Sequence, residues 1–261
     1  MSFNVSRFGK LTTTTDDGKH CYLTNRKKPF GDDILIDLSS FVDKSFEFAY
    51  NMTFGNVGQH RDHRTGGREI RKNGQIFINA FQGKICEFGL WNFFSNNGFL
   101  LDEPDIGEWS KGTWDDTDLI INGSKINVKS AVFFSNLLLL ETKDWDEHAY
   151  YLPNEQDEET AYSYFVLCRT NPDGKKCMQS HRLFYSDIAS KSDLDWMKSE
   201  KWEMDIAGYI TRQDLIQIIQ SNNIIPQGGL LNGKIPMDAS NYYCQAGDMR
   251  NINELVKLLK Q

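Results

Sequence analysis

From Arg68 to Phe94 the large apolar residues Phe77, Phe81, Ile85, Phe88 and Trp91 recur at steps of three and four, the spacing of one buried helix face. Asn96-Asn97-Gly98 supplies the stop for that amphipathic helix. Between Leu119 and Ser130 the period drops to two, with apolar and polar residues alternating on either side of Asn122-Gly123. Asn-Gly favours the type I′ turn of a tight hairpin, because both positions need positive φ. Tyr162 to Cys168 and Glu203 to Ile210 predict further strands. Thr211 with Asp214 forms a capping pair ahead of a helix over Gln213 to Ser221, and Asn251 to Lys260 predicts a closing helix. Helices alternating with strands define an α/β class, with a mixed β-sheet flanked by helices. The chain has no internal repeat, heptad run or linker of biased composition, and its six prolines are scattered. The expectation is one compact domain: residues 1–66 as a peripheral N-terminal part, residues 67–261 as the core, and any boundary near Gly66-Gly67.

Composition narrows the setting. The 261 residues are 39% hydrophobic and 13% aromatic, enough to build a sizeable core. The longest apolar run, Ala131 to Leu140, is broken by Ser135 and Asn136 and is too short to span a bilayer, and Met1–Lys10 lacks an apolar leader segment. The five cysteines form an odd set without a CxxC pair, which suits reduced thiols. A cytoplasmic protein with no membrane association is therefore expected.

The net charge of −7 is concentrated. Eight acids between Glu141 and Glu159 face only Lys143, which leaves the rest of the chain neutral. Three basic stretches survive on that remainder: Arg26-Lys27-Lys28, His60 to Lys72, and Arg169 to Arg182.

The hairpin allows geometry to be read from the chain. With Asn122 and Gly123 as loop residues, Ile121 faces Ser124 and Asp118 lies across from Asn127. Asp116 would oppose Lys129 if the pairing extends that far. Side chains alternate, so Asp116, Asp118, Asn127 and Lys129 share one side, while Leu119, Ile121, Ile126 and Val128 share the other. Opposed Asp, Asn and Lys side chains, with Cβ atoms about 5 Å apart, could hold a divalent cation. The same residues also describe an ordinary solvated strand face, and spacing alone does not separate the two.

Thr117-Asp118 followed by Asn127-Val128-Lys129-Ser130 resembles the PD-(D/E)xK motif of restriction enzymes and related nucleases. The upstream Gln82-Gly83-Lys84-Ile85-Cys86-Glu87 resembles the first core helix of that superfamily. The resemblance implies a restriction-endonuclease-like core and Mg²⁺-dependent hydrolysis of double-stranded DNA to 5′-phosphate ends, as in a type II restriction endonuclease. It further implies that Asp118 and the Val128 carbonyl bind Mg²⁺, that Lys129 assists the attacking water, and that Glu87 is a second metal or water ligand. Asn127 departs from the pattern, which has an acid there. A repair or phage-type nuclease of the same core, a DNA-binding protein whose nuclease centre has lapsed, and a metabolic α/β enzyme with no DNA affinity are the alternatives.

For DNA contact the sequence offers Arg61, Arg64, Arg68 and Arg71 in a basic, glycine-ended stretch, and Lys175 and Lys176 as phosphate-facing residues. A solvated basic loop would read the same way. A homodimer is expected from the match of such enzymes to palindromic sites. Zinc is disfavoured: His60 and His63 lack a partner pair, and so do Cys168 and Cys177. There is no GxxxxGK[ST] loop and no GxGxxG after a strand, so no nucleotide cofactor is expected.

Overall fold

A computed structural model describes residues 7–16, 18–55, 70–106, 118–153 and 161–261. In chain order the strands and helices are β1 (Thr12–Asp16), β2 (Lys19–Leu23), β3 (Leu35–Asp37), α1 (Val42–Thr53), α2 (Asn73–Asn96), β4 (Leu119–Ile121), β5 (Ser124–Val132), β6 (Leu137–Glu141), β7 (Tyr164–Asn171) and α3 (Gly174–Ser180). Two single-turn helices, α4 (Lys191–Leu194) and α5 (Trp196–Ser199), precede β8 (Glu203–Thr211) and α6 (Arg212–Gln220). The chain ends with β9 (Ile224–Ile225), β10 (Leu230–Leu231), β11 (Ile235–Pro236), β12 (Asn241–Gln245) and α7 (Ile252–Leu259). No helix among the described residues is long and apolar enough to cross a membrane, and all five cysteines are free thiols.

The central sheet is mixed, in the order β3-β8-β7-β5-β4, with β5 parallel to β7 and every other pair antiparallel. Its hairpin has the register that the sequence requires: Ile121 faces Ser124 and Leu119 faces Ile126. The turn residues Asn122 and Gly123 take φ of 49° and 79°, as a type I′ turn demands. One face of the sheet carries Leu119, Ile121, Ile126, Val166, Cys168 and Met204 into a core closed by α1, α2 and α7. The other face carries Phe165, Leu167, Ala207 and Ile210 against α6 and a second, antiparallel sheet ordered β6-β12-β9.

In β8 the inward parity changes between Ile206 and Tyr209 because the ladder with β7 slips at Leu167/Cys168, a bulge that inserts one residue. Gly208, at φ 154°, sits at this slip. A Cβ there would lie 2.7 Å from the Arg250 carbonyl oxygen, so only glycine admits the 249–250 segment that bonds to Tyr209.

Helix α2 differs from the amphipathic helix expected. Phe77, Phe81, Ile85, Phe88 and Leu90 are wholly buried together with Ile76, Ile78 and Cys86, so apolar contact surrounds most of its circumference. The reason is topological: the sheet covers one side, and α1 and α3 cover others. Each fully buried phenylalanine contributes about 1.5–3 kcal/mol. The helix ends where expected, with Asn97 as its C-cap and Gly98 at φ 88°. Thr211 and Asp214 form the reciprocal cap of α6, the Asp214 amide donating to Thr211 Oγ1 at 3.1 Å and the Thr211 amide to Asp214 Oδ2 at 3.0 Å.

The stretch before Gly66, expected to be peripheral, contributes β3 to the edge of the central sheet and α1 to the layer over α2. The boundary at Gly66-Gly67 lies outside the described residues, as do Arg61, Arg64, Arg68 and Asp116.

Candidate active site

The site is built at an open edge of β5. Pairing with β4 ends at Leu119–Ile126, so on that side the remainder of β5 has no paired strand among the described residues. Asp118 stands one residue beyond the ladder and accepts the Val128 backbone N–H through Oδ2 at 2.6 Å. In an antiparallel ladder a residue's N–H and C=O project to the same edge, so the Val128 carbonyl and the Asp118 carboxylate share this edge. The Asp118 charge is also felt by the Cys168 thiol. That thiol is pushed well up, first by its hydrogen bond with Cys86, then by burial. The Cys168 thiol is therefore not suited to act as a nucleophile.

Asn127 and Lys129 turn to the face away from α2, as their pairing with Phe165 and Leu167 shows. Asn127 is 5% exposed, and its Oδ1 has no hydrogen-bond partner among the described residues. A buried acceptor without a donor costs about 1–3 kcal/mol, so it marks a place where a ligand would be stabilising. Lys129 is half-buried, and among the described residues its amine makes no hydrogen bond or ion pair. It lines a cleft of about 300 Å³ together with Ser130 and Ser135, and the further polar walls include Glu141, Asp144, Tyr151 and Asn241. These four residues were not singled out from sequence. Glu141 and Asp144 had counted only as members of an acidic run, although an acid that closes the apolar strand Leu137–Leu140 was a usable signal.

Glu87 is placed differently. It sits on α2, the helix that covers the face of β5 opposite Lys129, and its carboxylate bonds Lys84 Nζ at 2.5 Å. Lys84 is buried over the Phe48 ring and also donates to the Asp105 carbonyl at 2.9 Å. Asp118 thus meets β5 at the Val128 amide, and Asn127, Val128 and Lys129 are consecutive on that strand, while Glu87 belongs to the helix layer.

The basic residues divide into two groups. Arg169, read as the start of a basic patch, is wholly buried and bonded to Asp205, so it is unavailable to a ligand. Arg26 and Lys28 are likewise engaged by Asp248 and Asp33. Lys175 and Lys176 are exposed on α3 and lie over the rings of Phe184 and Phe134. Arg71, just before α2, lines a second cleft beside β5 with Asn79, Gln82 and Ser130.

The donors on β5 and its edge suit a hard cation: one carboxylate, one main-chain carbonyl and one amide oxygen without a partner. Compared with known proteins, the chain matches no family model, no curated protein and no solved structure.

Proposed function

We propose that this chain is a Mg²⁺-dependent endodeoxyribonuclease with a PD-(D/E)xK centre, acting as a type II restriction endonuclease on double-stranded DNA. The observation that carries the reading is the junction of Asp118 with β5: its carboxylate meets the Val128 amide at 2.6 Å, between Asn127 and Lys129, a lysine with no ionic partner among the described residues. Asp118 and the Val128 carbonyl would hold the ion, and Asn127 would offer a neutral oxygen. Such an ion supplies charge at a phosphoryl oxygen and acidity to a bound water.

Lys129 orients the attacking water and sets positive charge against the oxygens of the phosphorus centre as they gain charge. That its amine has no ion pair among the described residues matters, because a neutralised amine would do neither. Glu87, on α2 and paired with Lys84, would serve as a second metal or water ligand from the helix layer. Attack in line with the 3′ oxygen gives a 5′-phosphate, and a homodimer would match a palindromic site.

Plasmid DNA incubated with Mg²⁺, with and without EDTA, tests this. Discrete fragments from the wild type and none from Asp118→Ala or Lys129→Ala are expected. The amide at Asn127 favours one other reading, a DNA-binding protein whose nuclease centre has lapsed. Tight, sequence-dependent binding without cleavage under any divalent metal would select it.

A further inference from the structure

Just past the Lys129 cleft, the chain sets an exposed aromatic ring on a rigid base. Strand β5 ends at Val132 and turns through Phe133, Phe134 and Ser135 before β6 begins at Leu137. Hydrogen bonds fix the turn: the Phe133 amide donates to the Thr170 carbonyl at 2.8 Å, the Ser135 amide to the Val132 carbonyl at 2.8 Å, and Asn136 Nδ2 to the Phe134 carbonyl at 3.3 Å. On this turn Phe134 is 51% exposed. Its ring stands edge to face with Phe133, at 5.1 Å and 83°, and Phe133 stands in the same way against Phe30, at 6.0 Å and 71°. Phe30 meets the Arg169 guanidinium 5.8 Å from its ring centre, next to the Lys28 and Pro29 carbonyls that Arg169 also holds. A chain of rings thus runs from a wholly buried arginine to an exposed phenylalanine. Lys176 of α3 places its amine over the Phe134 ring, 5.7 Å from the ring centre. Asp173 holds that amine only loosely, at 3.8 Å, and the lysine side chain is 74% exposed.

We infer that Phe134 and Lys176 form a nucleotide platform: the ring stacks an unpaired base of the DNA strand, and the amine meets the phosphate of that nucleotide. An exposed phenylalanine standing alone would need no explanation. Phe134 differs in two respects. Its ring is pre-organised by its neighbours, so little side-chain freedom is lost on binding, and a cation lies beside it. A flat apolar face next to an exposed positive charge matches the two parts of a nucleotide, a π-face and an anionic link. The exposed amine moves from the ring to the phosphate as the base takes its place. Position connects the platform to the site already described. Ser135, the next residue, lines the same cleft as Lys129. Phe134 follows Lys129 by five positions, at most about 18 Å of chain, or the rise of about five nucleotides along a duplex strand. The inference deepens the nuclease reading and rests on it for the identity of the strand. It adds that a base near the cut leaves the helical stack.

The test uses the full chain without divalent metal and two end-labelled probes, a thymidine octamer and an abasic octamer with the same sugar-phosphate backbone, with binding read by fluorescence anisotropy. Stacking tolerates any base, so one base type suffices. The wild type should bind the thymidine octamer about tenfold tighter than the abasic one. Phe134→Leu, which keeps apolar bulk but removes the ring, should erase that preference, and Phe134→Trp should keep it. Lys176→Gln should weaken both probes alike and reduce the slope of log affinity against log salt by about 0.7. Both positions are exposed, and circular dichroism should show an unchanged fold. No binding of either octamer, or a base preference that survives in Phe134→Leu, would overturn the platform. So would a dimer in sedimentation that Phe134→Leu splits, since the ring would then be buried between two copies. Ring-dependent binding by a chain that cuts no DNA under any divalent metal would overturn the nuclease reading alone. Cleavage at equal rates by the wild type and Phe134→Leu, with no preference for the base, would overturn the platform alone.

Discussion

Two polar groups buried in the same sheet are treated in opposite ways. Arg169 on β7 is wholly enclosed and uses all five of its donors: Nε and Nη2 on the Asp205 carboxylate, Nη1 on the carbonyls of Lys28 and Ser135, and Nη2 again on the carbonyl of Pro29. Asp205 in turn accepts the Gly31 amide at 2.9 Å, so this one arginine ties the 28–31 loop to the sheet. On the neighbouring strand, among the described residues, Asn127 Oδ1 is buried without a partner and the Lys129 amine meets none. The chain can saturate a buried polar group when structure requires it. Where it does not, as at Asn127, the proposed function supplies a reason to keep such a residue.

Breaking the saturated side should cost most in stability. Arg169→Leu leaves the Asp205 carboxylate buried and uncompensated, so a loss of about 3–5 kcal/mol is expected in urea denaturation. The unsaturated side should respond in activity instead. Lys129→Ala should slow cleavage by about 10²–10³-fold while unfolding free energy changes by less than about 0.5 kcal/mol. If the two variants lost stability equally, the contrast would fail.

A smaller effect sharpens the reading of Asn127. Replacing the amide by a carboxylate in Asn127→Asp should tighten Mn²⁺ binding about tenfold, read by electron paramagnetic resonance on uncleavable DNA complexes. Unchanged affinity would mean that this position is not a ligand.

The smallest effect lies at the α6 cap. Burial works to raise the Asp214 pKa, but two bonds from Arg250 and the Thr211 amide outweigh it and hold the carboxyl below its ordinary value. The stability gained is therefore complete above the unfolded value near 3.8 and is lost as pH falls through the lower folded value. Asp214→Asn should remove on the order of 1 kcal/mol at neutral pH, after solvent screening, and flatten the acid limb of a pH–stability curve.

The hairpin, the end of α2 and the cap of α6 were legible in the sequence because each is set by a few adjacent residues. Asn122-Gly123 fixed the register of Leu119 and Ile126, and with it the separation of Asn127 and Lys129 from the apolar face. Arg169 was misread because a buried, saturated arginine and a surface arginine look alike along the chain, and its acceptors are drawn from loops and strands far away in sequence. The same distance hid the walls of the Lys129 cleft. Glu141 and Asn241 meet there only because β6 pairs with β12, which the local pattern does not encode. Burial on several sides of α2 was equally unreadable, since its apolar spacing marks one face and tertiary packing decides the rest.

The most direct test of the central claim is single-turnover cleavage, in Mg²⁺, of end-labelled duplex DNA carrying the preferred site, comparing the wild type with Lys129→Ala at equal unfolding free energy. The account predicts a defined 5′-phosphate product from the wild type and a loss of about 10²–10³-fold in the variant. Equal rates from the two proteins, or a product that forms without a divalent metal, would contradict it.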